Sequence, residues 1–282
     1  MKAKKSLGQN FLKSEPALRK IVEAGEIKPE DIILEIGPGK GALTKKLLEK
    51  CRHVIAVEKD YELVSLLKEK FAEQIKSSSL VLVHEDILQF NIDEAVLTFS
   101  NGLAGRGTRE TEDLRKSSKL RSYKIIANIP YNITGAILKK FLTAKNQPTT
   151  MVLMVQHEVA KRIMAYDGKE SLLSLSVKMY GEPKMVTKVP ARYFSPSPKV
   201  DSAVIAIKNI SRKMFEENKI NEENFWKIVH AGFAHKRKKL SGNLKKLQIS
   251  QEPFLRNLGN KRAEDLSPKD WVALVKSAII RP

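Results

Sequence analysis

The feature that most restricts the fold is an alternation of short apolar segments with helical patterns between about residues 15 and 160. One such helical pattern spans 61–75, with Leu63, Leu66, Leu67 and Phe71 on one stripe. Short strands that alternate with helices predict an α/β fold with a doubly wound, mostly parallel sheet, whose ligands bind beyond the carboxyl ends of the strands. The predicted buried strands are residues 32–36, 54–58, 80–84, 124–128 and 151–155.

The rest of the chain follows other patterns. Residues 182–208 alternate like strands around a Ser-Pro-Ser-Pro turn, which predicts a hairpin-like excursion at the sheet edge. Beyond about residue 210 the sequence is helical and basic, with a helix that begins near Asn221 and a final helix that begins at Ser267-Pro268. We therefore expect a domain over 1–210 and a smaller helical domain over 211–282.

One segment, residues 97–123, interrupts the alternation of the first domain. It is polar, rich in Gly, Ser and Arg, and weakly periodic. This composition predicts a long loop. A functional lid and a tolerated insertion are both compatible with it, and we favour an insertion because long surface loops cost little free energy.

The charge of the chain indicates its class of partner. Lys and Arg number 51 against 32 Asp and Glu, a net charge of +19. Such an excess favours a polyanion, most often nucleic acid and sometimes an anionic membrane. Lysine-rich solubility is the simpler alternative.

Cysteine and histidine usage argues against several other classes. The single Cys51 excludes an internal disulfide and a cysteine cluster for zinc. His157-Glu158 lacks the second histidine of a zincin motif because residue 161 is lysine, so no metal is expected. We find no secretory signal and no apolar run of membrane-spanning length, and we expect a cytoplasmic protein with no membrane partner.

A glycine-rich turn, Gly37-Pro38-Gly39-Lys40-Gly41, follows the first predicted strand. It reads G-x-G-x-G rather than G-x-G-x-x-G, and no Lys-Ser/Thr follows, which excludes a P-loop. Glu58 ends the second strand, where it would accept from ribose hydroxyls, and Asp86 follows the third, where it would accept from an adenine amino group. Together these groups predict a bound adenosine, which both NAD and S-adenosylmethionine contain.

The motif Asn128-Ile129-Pro130-Tyr131 decides between the two cofactors. An adenine amino nitrogen is a poor nucleophile, so acceptors must hold its hydrogens while its lone pair faces an activated methyl group. Asn128 offers an amide acceptor, Pro130 a rigid turn that aims a carbonyl, and Tyr131 a ring on which a flipped base can stack. A structural turn that ends a strand is the alternative. The motif favours S-adenosylmethionine.

Four ordered motifs closely resemble the KsgA/RsmA family, the bacterial small-subunit rRNA adenine dimethyltransferases. They are GQNFL at 8–12, EIGPGKGALT at 35–44, ANIPYNIT at 127–134 and FSPSPKVDSAV at 194–204. The resemblance covers nearly the whole chain, although the segment at 97–123 looks longer than is usual in the family. It implies a Rossmann-like class I methyltransferase domain followed by a helical rRNA-binding domain, a cytoplasmic monomer, and N6,N6-dimethylation of two adjacent adenosines of 16S rRNA in the immature small subunit.

The resemblance also implies residue roles. Asn128, Pro130, Tyr131 and Phe194 would form the catalytic set, with Phe194 helping to enclose the target base. The basic stretch 235–246 has no acidic residue, and its density of charge favours contacts with rRNA phosphates over a solvated helix end. The expected cofactor-binding residues are Asn10, Leu12, Gly37, Gly39, Glu58, Asp86, Ile87 and Asn128, and the expected RNA-binding residues are Lys236, Arg237, Lys238, Lys239, Lys245 and Lys246.

Three alternatives remain at the sequence level. Large-subunit rRNA adenine methyltransferases of the macrolide-resistance type share the Asn-Ile-Pro-Tyr motif but resemble the first and last motifs less well. A non-catalytic assembly or transcription factor could retain the fold, although Glu58, Asp86 and Asn128 are all present. Protein glutamine methyltransferases use a similar turn, but the net charge and Ile129 disfavour them.

Overall fold

The structure of the protein is a computed structural model that describes residues 3–4, 7–100, 122–247, 258 and 260–278. Its main sheet has seven strands in the order β4-β3-β2-β5-β6-β9-β7, and β1 pairs with β8 in a separate two-stranded sheet. The strands are β1 Phe11–Leu12, β2 Ile32–Ile36, β3 His53–Glu58, β4 Leu80–His84, β5 Tyr123–Asn128, β6 Thr150–Gln156, β7 Glu182–Val189, β8 Phe194–Ser195 and β9 Ser202–Lys208.

The predicted doubly wound sheet is confirmed. β2 pairs in parallel with β3 and β5, and β4 and β6 extend the parallel region on either side. β9 pairs antiparallel with β6 and is followed by β7 at the edge, where the sequence predicted a hairpin-like excursion. Because β2 is buried along its full length, its side chains are apolar almost throughout; Glu35 is the exception.

Two C-terminal helices begin at the residues that the sequence indicates. Asn221 and Ser267 each accept a backbone N–H of the first turn, as predicted. Among the described residues, no helix is long and apolar enough to cross a membrane. The α-helices are Glu15–Ala24, Ala42–Leu48, Tyr61–Lys70, Ala72–Lys76, Ile92–Ser100, Thr134–Leu142, His157–Met164, Leu172–Lys178, Lys213–Asn218, Glu222–Gly232, Leu240–Leu244 and Pro268–Ser277.

Two expectations about local structure need correction. The predicted helix over 61–75 is two helices, which meet at Phe71 because its backbone (φ −117°, ψ 31°) is not helical. The loop expected over 97–123 is too long at both ends: residues 97–100 belong to the helix Ile92–Ser100, and Tyr123 begins β5. Residues 101–121 lie outside the described part of the chain.

The chain divides into two compact units, and the division differs from the sequence-based domains. The first unit comprises Met1–Ala160 with Lys184–Ile210, and the second comprises Lys161–Pro183 with Ser211–Pro282. Within the second unit, the Tyr180 ring lies 5.4 Å from that of Phe215, and its hydroxyl accepts from the Trp226 indole N–H at 3.0 Å. These aromatic contacts explain why 161–183, which the sequence pattern assigns to the first domain, groups with the C-terminal helices.

Candidate functional site

A cavity of about 450 Å³ lies in the first unit, at the carboxyl ends of β2, β3, β4 and β5. This is the edge of a parallel sheet where ligands are expected to bind. Every residue that the sequence assigned to a cofactor lines it, namely Asn10, Leu12, Gly37, Gly39, Glu58, Asp86, Ile87 and Asn128. The structure therefore brings together residues that are separated by up to 118 positions.

The glycine turn forms one wall of the cavity. Gly37 and Gly39 have φ of 64° and 58°, a left-handed conformation that side chains other than glycine adopt at a cost. A Cβ at Gly39 would lie 3.0 Å from the Phe11 ring, which also carries the Lys40 ammonium 5.0 Å above it. The turn thus leaves its backbone accessible from the cavity.

Two buried carboxyl groups, those of Glu58 and Glu35, line the cavity. Glu58 accepts the Gly39 N–H at 3.2 Å and the Asp60 N–H at 2.9 Å, which fixes its side chain. Burial raises the pKa of Glu58. Burial and then the neighbouring Glu58 raise the pKa of Glu35 to about 8, and among the described residues no group hydrogen-bonds its Oε2 atom. Glu35 is not among the residues expected from the sequence, because a glutamate inside a buried strand gives no separate pattern.

Asp86 has a different environment. Its Oδ2 atom pairs with the Lys59 ammonium at 2.8 Å, and its Oδ1 atom accepts the Leu88 N–H at 2.9 Å. The hydrogen bond from Lys59 is the main cause that lowers the pKa of Asp86. This carboxylate is therefore anionic and oriented at the mouth of the cavity.

An N-terminal segment, which contributes Gln9 to the lining of the cavity, is held by Asp60. Lys4 Nζ lies 2.7 Å from Asp60 Oδ1, and the Gln9 amide donates to Oδ2 at 2.7 Å. Burial alone would raise the pKa of Asp60, but these two donors outweigh it and the pKa is lowered. Asp60 is not among the residues expected from the sequence, where its only signal is its place as the N-cap of the helix Tyr61–Lys70.

The Asn128 amide is oriented by the same segment. Its Nδ2 atom donates to the backbone carbonyl of Asn10 at 3.2 Å. The amide nitrogen is thereby turned to Asn10, which leaves Oδ1 as an acceptor on the other side of the amide. The turn that follows is fixed in its own right, since the Pro130 carbonyl accepts the Ile133 N–H at 3.3 Å.

Tyr131 lines the cavity with its ring half-buried. Its hydroxyl lies 2.5 Å from the hydroxyl of the fully buried Ser202 on β9. Burial raises the pKa of Tyr131. The hydroxyl therefore anchors the ring, a role that the sequence did not suggest.

Phe194 differs from the other expected catalytic residues. Its side chain is 3% exposed and packs in the hydrophobic core with Leu12 and Val204, and it does not line the cavity. The reason is the antiparallel pairing of β8 with β1, in which Phe194 lies opposite Leu12. The neighbouring Ser195 lines the cavity instead.

The expected RNA-binding residues lie in the second unit, around the helix Leu240–Leu244. All six are exposed: Lys236, Arg237, Lys238, Lys239, Lys245 and Lys246. Leu240 and Leu244 of the same segment are buried, so the short helix separates an apolar face from the basic residues.

The cavity fits an adenosine joined to a cationic group. Carboxylate oxygens of Glu58 and Asp86 can accept from hydroxyl and amino groups, and the exposed backbone at Gly37 and Gly39 allows a close approach. The unpartnered oxygen of Glu35 adds a buried polar group, and a bound cation would favour the charged form of this carboxyl group. These donors and acceptors match S-adenosylmethionine better than a dinucleotide, which would bring phosphates toward three carboxyl groups.

Comparisons with known proteins show the family of the chain. A family model described as ribosomal RNA adenine dimethylase matches residues 1–279. The ribosomal RNA small subunit methyltransferase A of Dehalococcoides mccartyi (strain CBDB1) is 40% identical over 97% of this chain and 88% of its own. The protein of the same name from Fusobacterium nucleatum is 37% identical over 98% and 97% of the two chains.

Two solved structures have a similar fold. A dimethyladenosine transferase from Plasmodium falciparum superimposes with a TM-score of 0.72 and 25% identity, over 94% of this chain and 95% of that one. The 23S rRNA methyltransferase ErmE gives a TM-score of 0.71 with 23% identity, over 95% and 99% of the chains. The second likeness shows a shared fold and does not distinguish between RNA substrates.

Proposed function

Because this chain belongs to the ribosomal RNA adenine dimethylase family, we propose that it transfers methyl groups from S-adenosylmethionine to two adjacent adenosines near the 3′ end of 16S rRNA. Each product is an N6,N6-dimethyladenosine, formed in the immature small subunit during ribosome biogenesis. The enzyme would act as a monomer in the cytoplasm. Its relatives named small subunit methyltransferase A favour this substrate over 23S rRNA.

The observation that carries the proposal is the orientation of Asn128. Its amide nitrogen is held by Asn10, so its oxygen can accept a hydrogen of the target amino group. The Ile129 carbonyl, which directly precedes the rigid proline, would be the second acceptor. Two acceptors that hold the amino hydrogens direct the nitrogen lone pair toward the methyl donor.

The cofactor supplies an electrophilic methyl group on a sulfonium. In the proposed complex, Glu58 accepts from the ribose hydroxyls, and Asp86, next to Ile87, accepts from the adenine amino group of the cofactor. Gly37 and Gly39 would permit the close approach of its methionine part, and Asn10 and Leu12, which line the same cavity, would cover it. The Tyr131 ring offers the target base a stacking surface, which is typically worth about 1–3 kcal/mol per base.

The second unit is proposed to bind rRNA through its exposed lysines and arginine. Contacts of this kind fix a protein on the phosphate backbone and leave the reading of sequence to other groups. We retain the assignment of 211–282 as the rRNA-binding domain and add residues 161–183 to it on the basis of the compact unit.

Transfer of labelled methyl groups tests this function. The protein is incubated with S-adenosylmethionine and immature small subunits, mature small subunits or large subunits, and the modified adenosines are mapped. We expect dimethylation of two adjacent adenosines in immature small subunits only. Methylation of large-subunit RNA would establish the macrolide-resistance type of activity, and RNA binding without transfer at any substrate would indicate a non-catalytic factor.

A further inference from the structure

A second, open cavity of about 380 Å³ adjoins the cofactor cavity in the first unit and shares four lining residues with it: Gly8, Asn10, Tyr131 and Asn132. Its fifth lining residue is Gln156, the last residue of β6, which the cofactor cavity lacks. The position beside Tyr131 makes this cavity the place where a target base would lie.

The sheet register orients Gln156 toward that place. In the parallel pairing of β5 with β6, Asn128 lies opposite Met154, so the two side chains are on the same face. Gln156 is two residues further along β6 and returns to that face, about 7 Å beyond Met154 at roughly 3.3 Å per residue. Since neighbouring strands are about 4.8 Å apart, the Cα atoms of Asn128 and Gln156 are separated by roughly 8 Å.

That separation suits one edge of a purine. Both side chains extend from the same face of the sheet, so their amide groups can each form a hydrogen bond of about 3 Å to that edge, one to the amino nitrogen and one to a neighbouring ring nitrogen. A base whose amino group faces Asn128 would therefore present a neighbouring ring nitrogen to Gln156.

The partners of Gln156 support such a role. In the antiparallel pairing with β9 it lies opposite Ser202, whose hydroxyl holds that of Tyr131. The stacking ring is thus fixed beside the glutamine. Within the part of the chain that the structure describes, no hydrogen bond involves the side-chain amide of Gln156, so its donors and acceptor are available.

We propose that Gln156 is a specificity-determining residue that donates an amide N–H to a ring nitrogen of the target adenine, N1 or N7, next to the reacting amino group. Amides of this type recognise adenine because they match its arrangement of donor and acceptor. Guanine would bring an oxygen to Asn128 in place of an amino group, so the pair of amides selects adenine. This inference rests on the proposed function and adds the group that reads the base.

Nucleobase analogues test the proposal. Small-subunit RNA carrying 1-deazaadenosine or 7-deazaadenosine at the target positions lacks one candidate acceptor while retaining the amino group. For the wild-type protein we expect one analogue to reduce kcat/KM by about 10- to 100-fold, the usual range for an unpaired donor in a site. With Gln156→Ala, that analogue and unmodified RNA should be methylated at equal, reduced rates.

Matched variants complete the experiment. Gln156→Glu keeps the shape but cannot donate as a carboxylate, and it should also lose the discrimination. Gln74→Ala, a change at a glutamine that lines neither cavity, should retain the wild-type ratio. The inference is wrong if each analogue lowers kcat/KM, relative to unmodified RNA, by the same factor in Gln156→Ala as in the wild-type protein. Failure of the wild type to methylate unmodified RNA would instead contradict the proposed function.

Discussion

The Asn128 amide nitrogen donates to the backbone carbonyl of Asn10 at 3.2 Å, across 118 residues of sequence. This bond connects the N-terminal segment to the end of β5 and determines which atom of the amide is left to accept. The segment is itself attached through Lys4 and Gln9 to the buried Asp60. Orientation of the acceptor therefore depends on residues from three separate regions of the chain.

Removal of the Glu58 carboxylate should weaken cofactor binding. We expect Glu58→Ala to lower S-adenosylmethionine affinity by about 1–3 kcal/mol, because hydrogen-bonding groups of the cofactor and the Gly39 N–H lose their acceptor. Isothermal calorimetry measures the change, and the exposed Glu69→Ala serves as the control. Unchanged affinity in a folded Glu58→Ala protein would remove Glu58 from the site.

The hydrogen bond between the hydroxyl groups of Tyr131 and Ser202 predicts that Tyr131→Phe lowers the stability of the protein. A stacking role needs only the face of the ring, but the structure also places the hydroxyl against the fully buried Ser202. Tyr131→Phe should therefore lower stability by about 1–3 kcal/mol, since the Ser202 hydroxyl is left without its partner. The free energy of unfolding is measured in urea, with Tyr166→Phe as an exposed control.

A double variant separates this hydrogen bond from other effects of the phenylalanine. Ser202→Ala combined with Tyr131→Phe should cost less than the sum of the two single changes, because both remove the same hydrogen bond. Additive costs would mean that the two hydroxyl groups do not stabilise each other. Tyr131→Ala should impair methyl transfer more than Tyr131→Phe, since it also removes the stacking surface.

Charge at the basic segment of the second unit should govern RNA affinity. Neutralising Lys236, Arg237, Lys238 and Lys239 should weaken RNA binding and reduce its salt dependence by nearly one log–log unit for each phosphate that is no longer neutralised. Filter binding at several salt concentrations measures the slope, and calorimetry should show unchanged cofactor affinity. The control neutralises four exposed lysines of the first unit: Lys45, Lys50, Lys68 and Lys76. Equal salt slopes for both variants would contradict a special role for the segment.

Burial of Glu35 predicts a pH dependence of stability. Its pKa is raised from 4.5 to about 8, so between these values the folded protein keeps a proton that the unfolded chain releases. The stabilisation is complete below about pH 4.5 and is lost as the pH rises to about 8, at up to about 1.4 kcal/mol per pH unit. Glu58, whose pKa is also raised, contributes in the same direction.

Glu35→Gln tests this dependence because the amide cannot ionise. Stability of the variant relative to wild type should increase steadily from about pH 5 to pH 8 in urea unfolding. The exposed Glu73→Gln should follow the wild-type curve. Parallel curves for Glu35→Gln and wild type would show that Glu35 has the same pKa in the folded and unfolded chains.

The main elements were predictable because their signals are local. The strand Ile32–Ile36 is apolar except for Glu35, and the helices at Glu222 and Pro268 follow good capping residues. The helix Ile92–Ser100 was missed in part because its last residues adjoin a polar segment that hides its periodicity. Residues 161–183 were misplaced because Tyr180 gives no sign of the aromatic partners, Phe215 and Trp226, that it meets much later in the chain.

The candidate site was predictable in its residue types but not in its orientations. Glu58 and Asp86 were selected by their places after predicted strands, and a family resemblance selected the other expected residues that line the cavity. The pairing of Phe11–Leu12 with Phe194–Ser195, by contrast, involves only two residues on each side and has no sequence pattern. That pairing is what places Phe194 in the core. Hydrogen bonds over long sequence separations, such as that of Tyr131 with Ser202, likewise depend on the finished sheet.

The most direct test of the proposed chemistry is the single-turnover rate of Asn128→Ala with small-subunit rRNA at saturating S-adenosylmethionine. The side chain is only partly buried at the end of β5, so the variant should fold. Loss of the acceptor should slow dimethylation by about 100- to 1,000-fold, the usual effect of removing one preorganised hydrogen-bonding group. A rate close to that of the wild-type protein would contradict the assignment of Asn128 as the group that aligns the target nitrogen.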